Sequence, residues 1–425
     1  MAVSLKPLSE QTIVVTGASS GIGLATARRA ARAGANVVLV ARNAEALKEA
    51  AHSIEVRGGK AAWLDIDMAD ADAPQRIGSL ATDAFGGFDT WVNNAATALY
   101  ARLLDTSMDE HRKTFETGYF ALVAASRYAA ETLTRRGGGA LINVGSVLSE
   151  RSVPVQGAYS AMKHAVLGFT EALRMELEMD GRPVSVTLIK PNGIDTPYPE
   201  HARNKMDEPA RIPPLVYDPE LVAKAICFAA EHPKRDLTVG GQGYLLTKVG
   251  NAMPGVMDKM MEAFMGEQGQ SIRQPPEPGT EDNLYQPRKD GRERSNKDLF
   301  VRKSSLALEA QMHPVATAAL IGGLGAAATM LLLGRRTRPA AAPVDAFGGE
   351  DLMSDVKAHQ NDGEDSSAEF QSGIADEGMI PESLPAGATG DQGTPAPDPI
   401  AVKSFEAGIA DENARPAEAG TPAKE

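Results

Sequence analysis

Tyr159 and Lys163, four residues apart, are the side chains of this sequence whose types and spacing could move a proton. They fall in the helix-competent run 157–179, where positions i and i+4 project from one face about one turn apart. A phenol with a pKa near 10 is a poor acid and base at neutral pH, but a nearby cation lowers that pKa by roughly 1–3 units. Ser146 follows the apolar run 140–144, so a buried strand could carry its hydroxyl to the same place to hold a carbonyl oxygen.

The pair alone does not identify a site, because tyrosine with lysine one turn later is common on solvated helix faces. Three further motifs accompany it: TGASSGIG at 16–23, NNAA at 93–96 and PNGIDT at 191–196. In this order and at these spacings the set resembles the short-chain dehydrogenase/reductase family, over about residues 8–250. The resemblance implies a Rossmann-like fold and hydride transfer with a nicotinamide cofactor.

Composition divides the chain into two parts. Its 425 residues exceed the usual ~100–200 of one domain, although α/β folds reach about 250 as one unit. Residues 345–425 carry 18 acidic and 4 basic side chains, a net charge of −14, so residues 1–344 carry +1 of the total of −13. The acidity is therefore a property of the tail.

Several classes of protein are disfavoured by the sequence. The single cysteine, Cys227, excludes an internal disulfide and fits a reducing compartment, with a buried structural thiol as the default interpretation. The first ten residues have no apolar core like that of a secretory signal, so the catalytic part is predicted to be cytoplasmic and not secreted. The sequence offers neither a cluster with metal-ligand spacing nor a basic patch for nucleic acid.

Residues 1–250 alternate short apolar runs with longer amphipathic stretches, which is the pattern of βαβ units. The predicted fold is α/β, a doubly wound parallel sheet of about seven strands, which binds ligands at its carboxyl edge. The candidate strands cover 12–15, 36–40, 61–66, 90–92, 140–144, 184–189 and 237–239. The candidate helices cover 22–33, 44–56, 73–85, 108–134, 159–178 and 219–231.

The glycines of the first motif predict a phosphate site. Gly17, Gly21 and Gly23 follow the first strand and open a helix, where glycine lets the backbone approach a pyrophosphate and helix amides meet its charge. A glycine-rich turn by itself is more often just a turn. The family uses this Gly-x-x-x-Gly-x-Gly spacing, and the resemblance adds Ser19 and Ile22 to the expected cofactor contacts.

The end of the second strand decides between NADP(H) and NAD(H). A carboxylate there would accept hydrogen bonds from an adenosine ribose, whereas a cation favours a 2′-phosphate. Ala41 stands at the carboxylate position and Arg42 follows, whose guanidinium suits a phosphate. NADP(H) is therefore the predicted cofactor, with a solvated loop charge as the alternative for Arg42. Asp67 matches the family's adenine contact, or is an ordinary strand-end or helix-capping aspartate.

The resemblance assigns roles to the remaining site residues. Tyr159 would transfer the proton, and Lys163 would depress the tyrosine pKa while touching the nicotinamide ribose. Ser146 would hold the substrate oxygen, and Asn94 would support the strand beside the cofactor. Thr196 matches the position that bonds the nicotinamide carboxamide, with a helix N-cap before Pro197 as the alternative.

Gly118 is a departure from the family, which carries an asparagine at this position that helps to hold a water linking the lysine to solvent. We expect the proton relay to be altered and not abolished, because a backbone carbonyl can hold a water as well. The rival hypothesis is a cofactor-binding scaffold with weakened catalysis that acts through its C-terminal anchor and tail.

The predicted catalytic domain covers residues 1–268, and a basic, proline-containing linker covers 269–314. Within the domain, 197–217 matches a mobile substrate lid. An apolar stripe at helical spacing follows between Met253 and Met265, and it indicates either core and subunit contact or an adaptable apolar substrate wall.

Residues 315–333 lack charge and are long enough as a helix to cross about 28 Å. They form a candidate membrane helix, although six alanines and three glycines make insertion marginal. The alternatives are a helix packed on the protein and a disordered Ala/Gly tract. The acidic tail, 334–425, cannot bury enough apolar surface to order itself. It repeats FxxGIADE at 370–377 and 405–412, either as a bivalent motif for a protein partner or as duplication drift.

The sequence thus predicts an NADP(H)-dependent oxidoreductase acting on a small-molecule alcohol, ketone or aldehyde. An apolar substrate becomes more favoured if 315–333 is an anchor. The resemblance also implies a homo-oligomer, since relatives commonly pair through long helices. A third hypothesis keeps the enzyme and makes the tail a disposable extension.

Overall fold

The computed structural model describes residues 3–272, 274–275, 281–288, 291–297, 299–320, 322–323 and 329–330. The tail 334–425 and its repeat lie outside the described residues, and so does about half of the span 315–333. Among the described residues no helix is both long and apolar enough to cross a membrane.

A seven-stranded parallel sheet forms the centre of the fold, in the order β3-β2-β1-β4-β6-β7-β10. Two short parallel pairs, β5 with β8 and β9 with β11, lie apart from it. The sheet confirms the predicted doubly wound α/β class. The strands are β1 (Thr12–Thr16), β2 (Asn36–Ala41), β3 (Lys60–Asp65), β4 (Thr90–Asn93), β5 (Leu99–Tyr100), β6 (Gly139–Val144), β7 (Val184–Pro191), β8 (Arg203–Asn204), β9 (Val216–Tyr217), β10 (Asp236–Val239) and β11 (Val301–Arg302).

Helices cover both faces of the sheet. Helices α1, α2, α8 and α12 pack on one face, and α3, α5 and the end of α6 pack on the other. The helices are α1 (Gly21–Arg32), α2 (Ala44–Glu55), α3 (Ala73–Phe85), α4 (Met108–Phe115), α5 (Ala121–Arg135), α6 (Gly157–Met179), α7 (Tyr198–His201), α8 (Pro219–Glu231), α9 (Gly241–Ala252), α10 (Pro254–Phe264), α11 (Glu267–Gln270) and α12 (Leu306–Met312).

The central strands are apolar on both faces because both faces are covered. In β1, Ile13 and Val15 contact the first layer of helices, and Val14 contacts the second. Successive side chains of a strand point to opposite faces, so a strand buried twice reads as a continuous apolar run. This is why the strands could be located from the sequence to within one or two residues.

The segment predicted to be a linker packs instead on the sheet domain. Strand β11 pairs with β9, and α12 buries Leu308 and Met312 beside the core. Side chains of α12 also reach β10, where Gln311 accepts a hydrogen bond from the Thr238 amide (2.9 Å). The ordered fold therefore extends to Met312, past the predicted boundary at residue 268. Proline and basic residues had suggested a free linker, but the buried apolar positions of α12 hold it in place.

Candidate active site

One cavity of about 500 Å³ lies at the carboxyl edge of the sheet, where β1, β4, β6 and β7 end. Parallel strands deliver their carboxyl ends to one edge, so motifs far apart in sequence meet there. Of the predicted site residues, Gly23 does not line the cavity. The lining ones are Gly17, Ser19, Gly21, Ile22, Arg42, Asp67, Asn94, Ser146, Tyr159, Lys163 and Thr196.

Ser146, Tyr159 and Lys163 are brought together by β6 and the start of α6. All three are buried, with exposed fractions of 8%, 9% and 3%. The Lys163 ammonium donates a hydrogen bond to the Val144 carbonyl (2.7 Å) and lies 5.7 Å from the centroid of the Tyr159 ring. The Ser146 hydroxyl oxygen accepts from the Leu148 amide (3.1 Å), and the hydroxyl also hydrogen-bonds with Tyr159.

Burial shifts the pKa of both titrating groups. It raises the pKa of Tyr159 to about 12, against the opposing effect of hydrogen bonds with Ser146 and Tyr198. It lowers the pKa of Lys163 to about 8. The sequence had predicted a lowered tyrosine pKa from the lysine charge. The difference arises because desolvation disfavours the phenolate, while the lysine nitrogen is directed at Val144.

Two further tyrosines lie beside Tyr159. Tyr198 contacts the Tyr159 ring edge-on at 5.6 Å between centroids, and Tyr100 contacts Tyr198 at 6.1 Å. The Tyr198 hydroxyl donates to Gln156 (3.2 Å). Burial raises the pKa of Tyr198 well above its usual value, so it acts as a hydrogen-bonding group and not as an anion. The sequence analysis did not predict this cluster of tyrosines. Tyr198, two residues after the PNGIDT motif, was the feature that could have indicated it.

The glycine motif forms a tight cradle at the start of α1. Gly17 has φ +66°, and a Cβ there would lie 2.8 Å from the Asn94 amide nitrogen. That nitrogen donates to the carbonyls of Thr16 (3.0 Å) and Gly17 (3.3 Å), so Asn94 fixes the turn. A Cβ on Gly23 would stand 2.1 Å from the Gly17 oxygen, so Gly23 allows the helix to pack on the turn and does not itself line the cavity.

These residues fit a nicotinamide dinucleotide. Gly17 and Gly21 line the cavity with backbone atoms alone, beside the N-terminus of the twelve-residue helix α1. The N-terminus of a helix is a favourable place for a pyrophosphate. Ser19 and Ile22 lie on the same wall. At the other end of the cavity lie the buried side chains of Ser146, Tyr159 and Lys163. They suit a substrate carbonyl or alcohol that such a cofactor would reduce or oxidise.

Arg42 lies beside the cavity at the end of β2, but its guanidinium is not simply solvated. It donates to the backbone carbonyls of Asn283 (2.5 Å) and Tyr285 (3.2 Å). Asp67 lies 3.8 Å away and also faces Lys113 at 3.6 Å. The Asp67 carboxylate additionally accepts from the Ala69 amide (3.0 Å) within its own turn, and helix α3 begins with Asp72 as its N-cap instead.

Thr196 lines the cavity and is not the N-cap of α7, which is Pro197. Its hydroxyl donates to the Ile194 carbonyl (3.3 Å) and accepts from the amide of Tyr198 (3.4 Å), the first residue of α7. Gly118 lies in a π-helical turn, Glu116–Phe120, and a Cβ there would meet the Met162 side chain at 2.7 Å. The neighbouring Thr117 is nine-tenths buried, lines the cavity, and has a hydroxyl without a partner among the described residues.

The apolar stripe is divided between two roles. Met257 and Met261 are buried, whereas Phe264 is 70% exposed. Four of its residues also line the cavity, which makes one end of the site apolar: Met260, Met261, Phe264 and Met265.

Cys227 is buried away from the cavity, and burial raises its pKa to about 12, so the thiol is unreactive.

Comparison with known proteins gives consistent matches. A model of the short chain dehydrogenase family matches residues 11–207. The uncharacterized oxidoreductase YxnA of Bacillus subtilis is 43% identical over 324 residues, which cover 76% of this chain and 91% of that protein. This match is longer than residues 1–268, so it extends into the predicted linker.

A 3beta-hydroxysteroid dehydrogenase of Mediterraneibacter gnavus is 33% identical over 200 residues, 45% of this chain and 69% of its own length. Among solved structures, the L-sorbose reductase from Gluconobacter frateurii, complexed with NADPH and L-sorbose, matches with a TM-score of 0.48 and 25% identity. That match covers 56% of this chain and 97% of the reductase.

Proposed function

The chain belongs to the short-chain dehydrogenase family, and on that premise we propose that it is an NADP(H)-dependent oxidoreductase that interconverts an alcohol and a ketone or aldehyde. The observation that carries the proposal is the meeting of Ser146, Tyr159 and Lys163 in one cavity with the glycine cradle. A cofactor whose pyrophosphate is held in the cradle, and a proton donor beside its nicotinamide end, are the two requirements of carbonyl reduction.

In the reducing direction a nicotinamide cofactor held in this cavity would supply the hydride for the carbonyl carbon. Tyr159 donates its phenolic proton to the carbonyl oxygen, and Ser146 donates a hydrogen bond to the same oxygen. Burial keeps the Tyr159 phenol protonated but raises its pKa, so proton donation depends on stabilisation of the phenolate that it leaves. Lys163 stabilises the phenolate that remains while it carries its own proton. Proton transfer by a positioned group is worth roughly 10²–10⁴-fold in rate.

The preference for NADP(H) rests on Arg42. The carboxyl end of β2 presents the small Ala41 in place of a carboxylate. The guanidinium of Arg42 is held in position by two backbone carbonyls, and its charge is shared with the Asp67 carboxylate at 3.8 Å, which Lys113 also contacts at 3.6 Å. A fixed cation beside the adenosine end favours the 2′-phosphate. The contact of Asp67 with adenine and that of Thr196 with the carboxamide belong to the same proposal.

The substrate that we propose is largely apolar. The substrate end of the cavity carries Met260, Met261 and Phe264, and methionine adapts its shape to apolar ligands. A relative at 33% identity is named for a hydroxysteroid, an apolar alcohol of this class. A cytosolic location and anchoring through 315–333 stay predictions of the sequence.

A second candidate, a cofactor-binding scaffold with weakened catalysis, is favoured by one observation. Gly118 presents no side chain to the cavity, and Met162 occupies the adjoining space. The asparagine side chain that would help to hold the water of the proton relay in the family is therefore missing here. The Thr117 hydroxyl lines the same cavity and has no hydrogen-bond partner among the described residues.

Cofactor binding followed by turnover separates the two functions. NADPH and NADH affinities are measured first, and NADPH oxidation is then followed against apolar ketones, aldehydes and polar sugars. The enzyme requires turnover with NADPH preferred and apolar carbonyls favoured. Tight NADPH binding with no turnover across the panel would support the scaffold, and turnover only with sugars would contradict the apolar substrate.

A further inference from the structure

A C-terminal segment crosses the nucleotide half of the cavity. We define the strap as residues 281–303, of which 281–288, 291–297 and 299–303 are described. It contacts the end of β2, then the glycine cradle, and finally pairs with β9 through β11. Its Asn283, Pro287 and Arg288 line the cavity itself.

On the nucleotide side, the strap is bonded to the elements that carry the predicted cofactor contacts. The Gly21 amide, the first of α1, donates to the Arg292 carbonyl (2.9 Å). The Asn43 side chain donates to the Arg288 carbonyl (2.6 Å). Arg28 pairs with Glu293 at 2.8 Å. The strap is therefore attached along the edge of the cofactor site and takes up the Gly21 amide, which is then not available to a pyrophosphate.

On the opposite side, the strap is bonded to the segment that follows β7. Ser295 donates to Asp195 (2.6 Å), and Arg294 pairs with Asp218 (2.9 Å). Arg292 pairs with Glu200 (2.6 Å). The strap thus joins the two walls of the cavity across its nucleotide end, so a bound cofactor would have this segment on its solvent side.

Asn283 is the strap residue that points to a ligand. Its backbone carbonyl accepts from Arg42 and its amide donates to the His201 carbonyl (2.8 Å). Its side-chain oxygen is buried, yet it has no hydrogen-bond partner among the described residues. A buried acceptor without a donor is costly, and such groups are rare unless a ligand or water completes them. The residue lines the cavity beside Arg42 and Asp67.

We propose that the strap is the outer wall of the adenosine subsite and that the Asn283 side chain is a cofactor-binding residue. Its oxygen accepts a hydrogen bond from a donor of the adenosine, either the 6-amino group or a ribose hydroxyl, while its backbone carbonyl aims Arg42. This inference rests on the proposed function. It adds a binding residue more than 80 positions beyond the last motif of the family pattern at 191–196.

The test compares Asn283→Ala with Gln286→Ala, a control on the exposed part of the same turn. NADPH and NADH affinities are measured by fluorescence titration. Because the adenosine is common to both cofactors, Asn283→Ala is expected to weaken NADPH and NADH binding alike, by about 3–10-fold for one hydrogen bond. Gln286→Ala is expected to bind both like the wild type. Arg42→Ala is expected to weaken NADPH alone.

Asn283→Leu, of similar side-chain size, repeats the test if the alanine variant unfolds early. Wild-type affinity for both cofactors in the Asn283 variants would overturn this inference and leave the proposed function intact. A wild-type protein that binds neither NADPH nor NADH would overturn the proposed function, and the inference with it. A loss confined to NADPH would also contradict it, since it would place Asn283 at the 2′-phosphate.

Discussion

The two ends of the cavity are built in different ways. At the catalytic end, Ser146, Tyr159 and Lys163 are buried on a central strand and a 23-residue helix. At the nucleotide end, the outer wall is the strap, attached by backbone hydrogen bonds and partly exposed ion pairs such as Arg294 with Asp218. Buried groups have their pKa values shifted by desolvation, whereas exposed pairs contribute about 0–1 kcal/mol each. The proposed chemistry would therefore depend on groups of the core, and the proposed cofactor retention on contacts that can be removed singly.

The largest effect is expected from Tyr159→Phe, which removes the proton donor and keeps the ring in place. The variant is predicted to lose about 10²–10⁴-fold in kcat for carbonyl reduction and to bind NADPH like the wild type. Tyr128→Phe, a tyrosine on the far face of the sheet beside Phe88, serves as the control. A wild-type kcat in Tyr159→Phe would contradict the assignment of Tyr159 as proton donor, and with it the interpretation of one end of the cavity as catalytic.

The pH dependence sharpens the same comparison. With a pKa of about 12, the Tyr159 phenolate fraction rises about tenfold per pH unit, so alcohol oxidation is predicted to increase about 100-fold between pH 6 and 8. Carbonyl reduction needs the protonated phenol and the charged lysine. With a Lys163 pKa of about 8, it is predicted to be level up to about pH 7, to be about half by pH 8 and to fall further as Lys163 loses its proton. Cofactor affinity is predicted not to change with the protonation of Tyr159 or Lys163. Rates of oxidation and reduction that are both constant from pH 6 to 10 would contradict the roles proposed for these two residues.

Arg42→Ala tests the nucleotide end and is expected to have an intermediate effect. Loss of a charge-assisted contact with the 2′-phosphate is predicted to weaken NADPH binding by about 10–150-fold, with NADH unchanged, because hydrogen bonds to charged groups contribute about 1.5–3 kcal/mol. The measurement is the ratio of the two dissociation constants. Arg57→Ala, an exposed arginine after α2, is the matched control. Equal losses for both cofactors would show that Arg42 acts through the strap and not on the phosphate.

The smallest effect is expected from Arg294→Gln, which breaks one ion pair of the strap away from the cavity. The NADPH dissociation rate, measured by stopped-flow fluorescence, is predicted to rise about 2–5-fold, with kcat unchanged at saturating cofactor. Arg182→Gln breaks the exposed pair with Asp180 on another surface and should leave the rate unchanged. Identical rates in both variants would indicate that the strap does not limit cofactor release.

The sheet and most of the site could be predicted because they follow periodic and motif patterns. Strands buried on both faces are continuous apolar runs, and the glycines, Tyr159 and Lys163 are constrained by type and spacing. The strap follows no such pattern, since it is attached largely through backbone carbonyls such as that of Arg292, whose bonding to Gly21 is independent of side-chain identity. The direction of the Tyr159 pKa was also missed, because four-residue spacing says nothing of where the lysine nitrogen points.

The contact between Gly118 and Met162 has a consequence for how this sequence can change over evolutionary time. A side chain at position 118 would stand 2.7 Å from the methionine sulfur, in a turn already one residue wider than an α-helix. An asparagine at position 118 would therefore require the flexible end of Met162 to move, or a smaller residue at position 162. The two positions are therefore expected to be coupled, so that a substitution tolerated at one depends on the residue at the other.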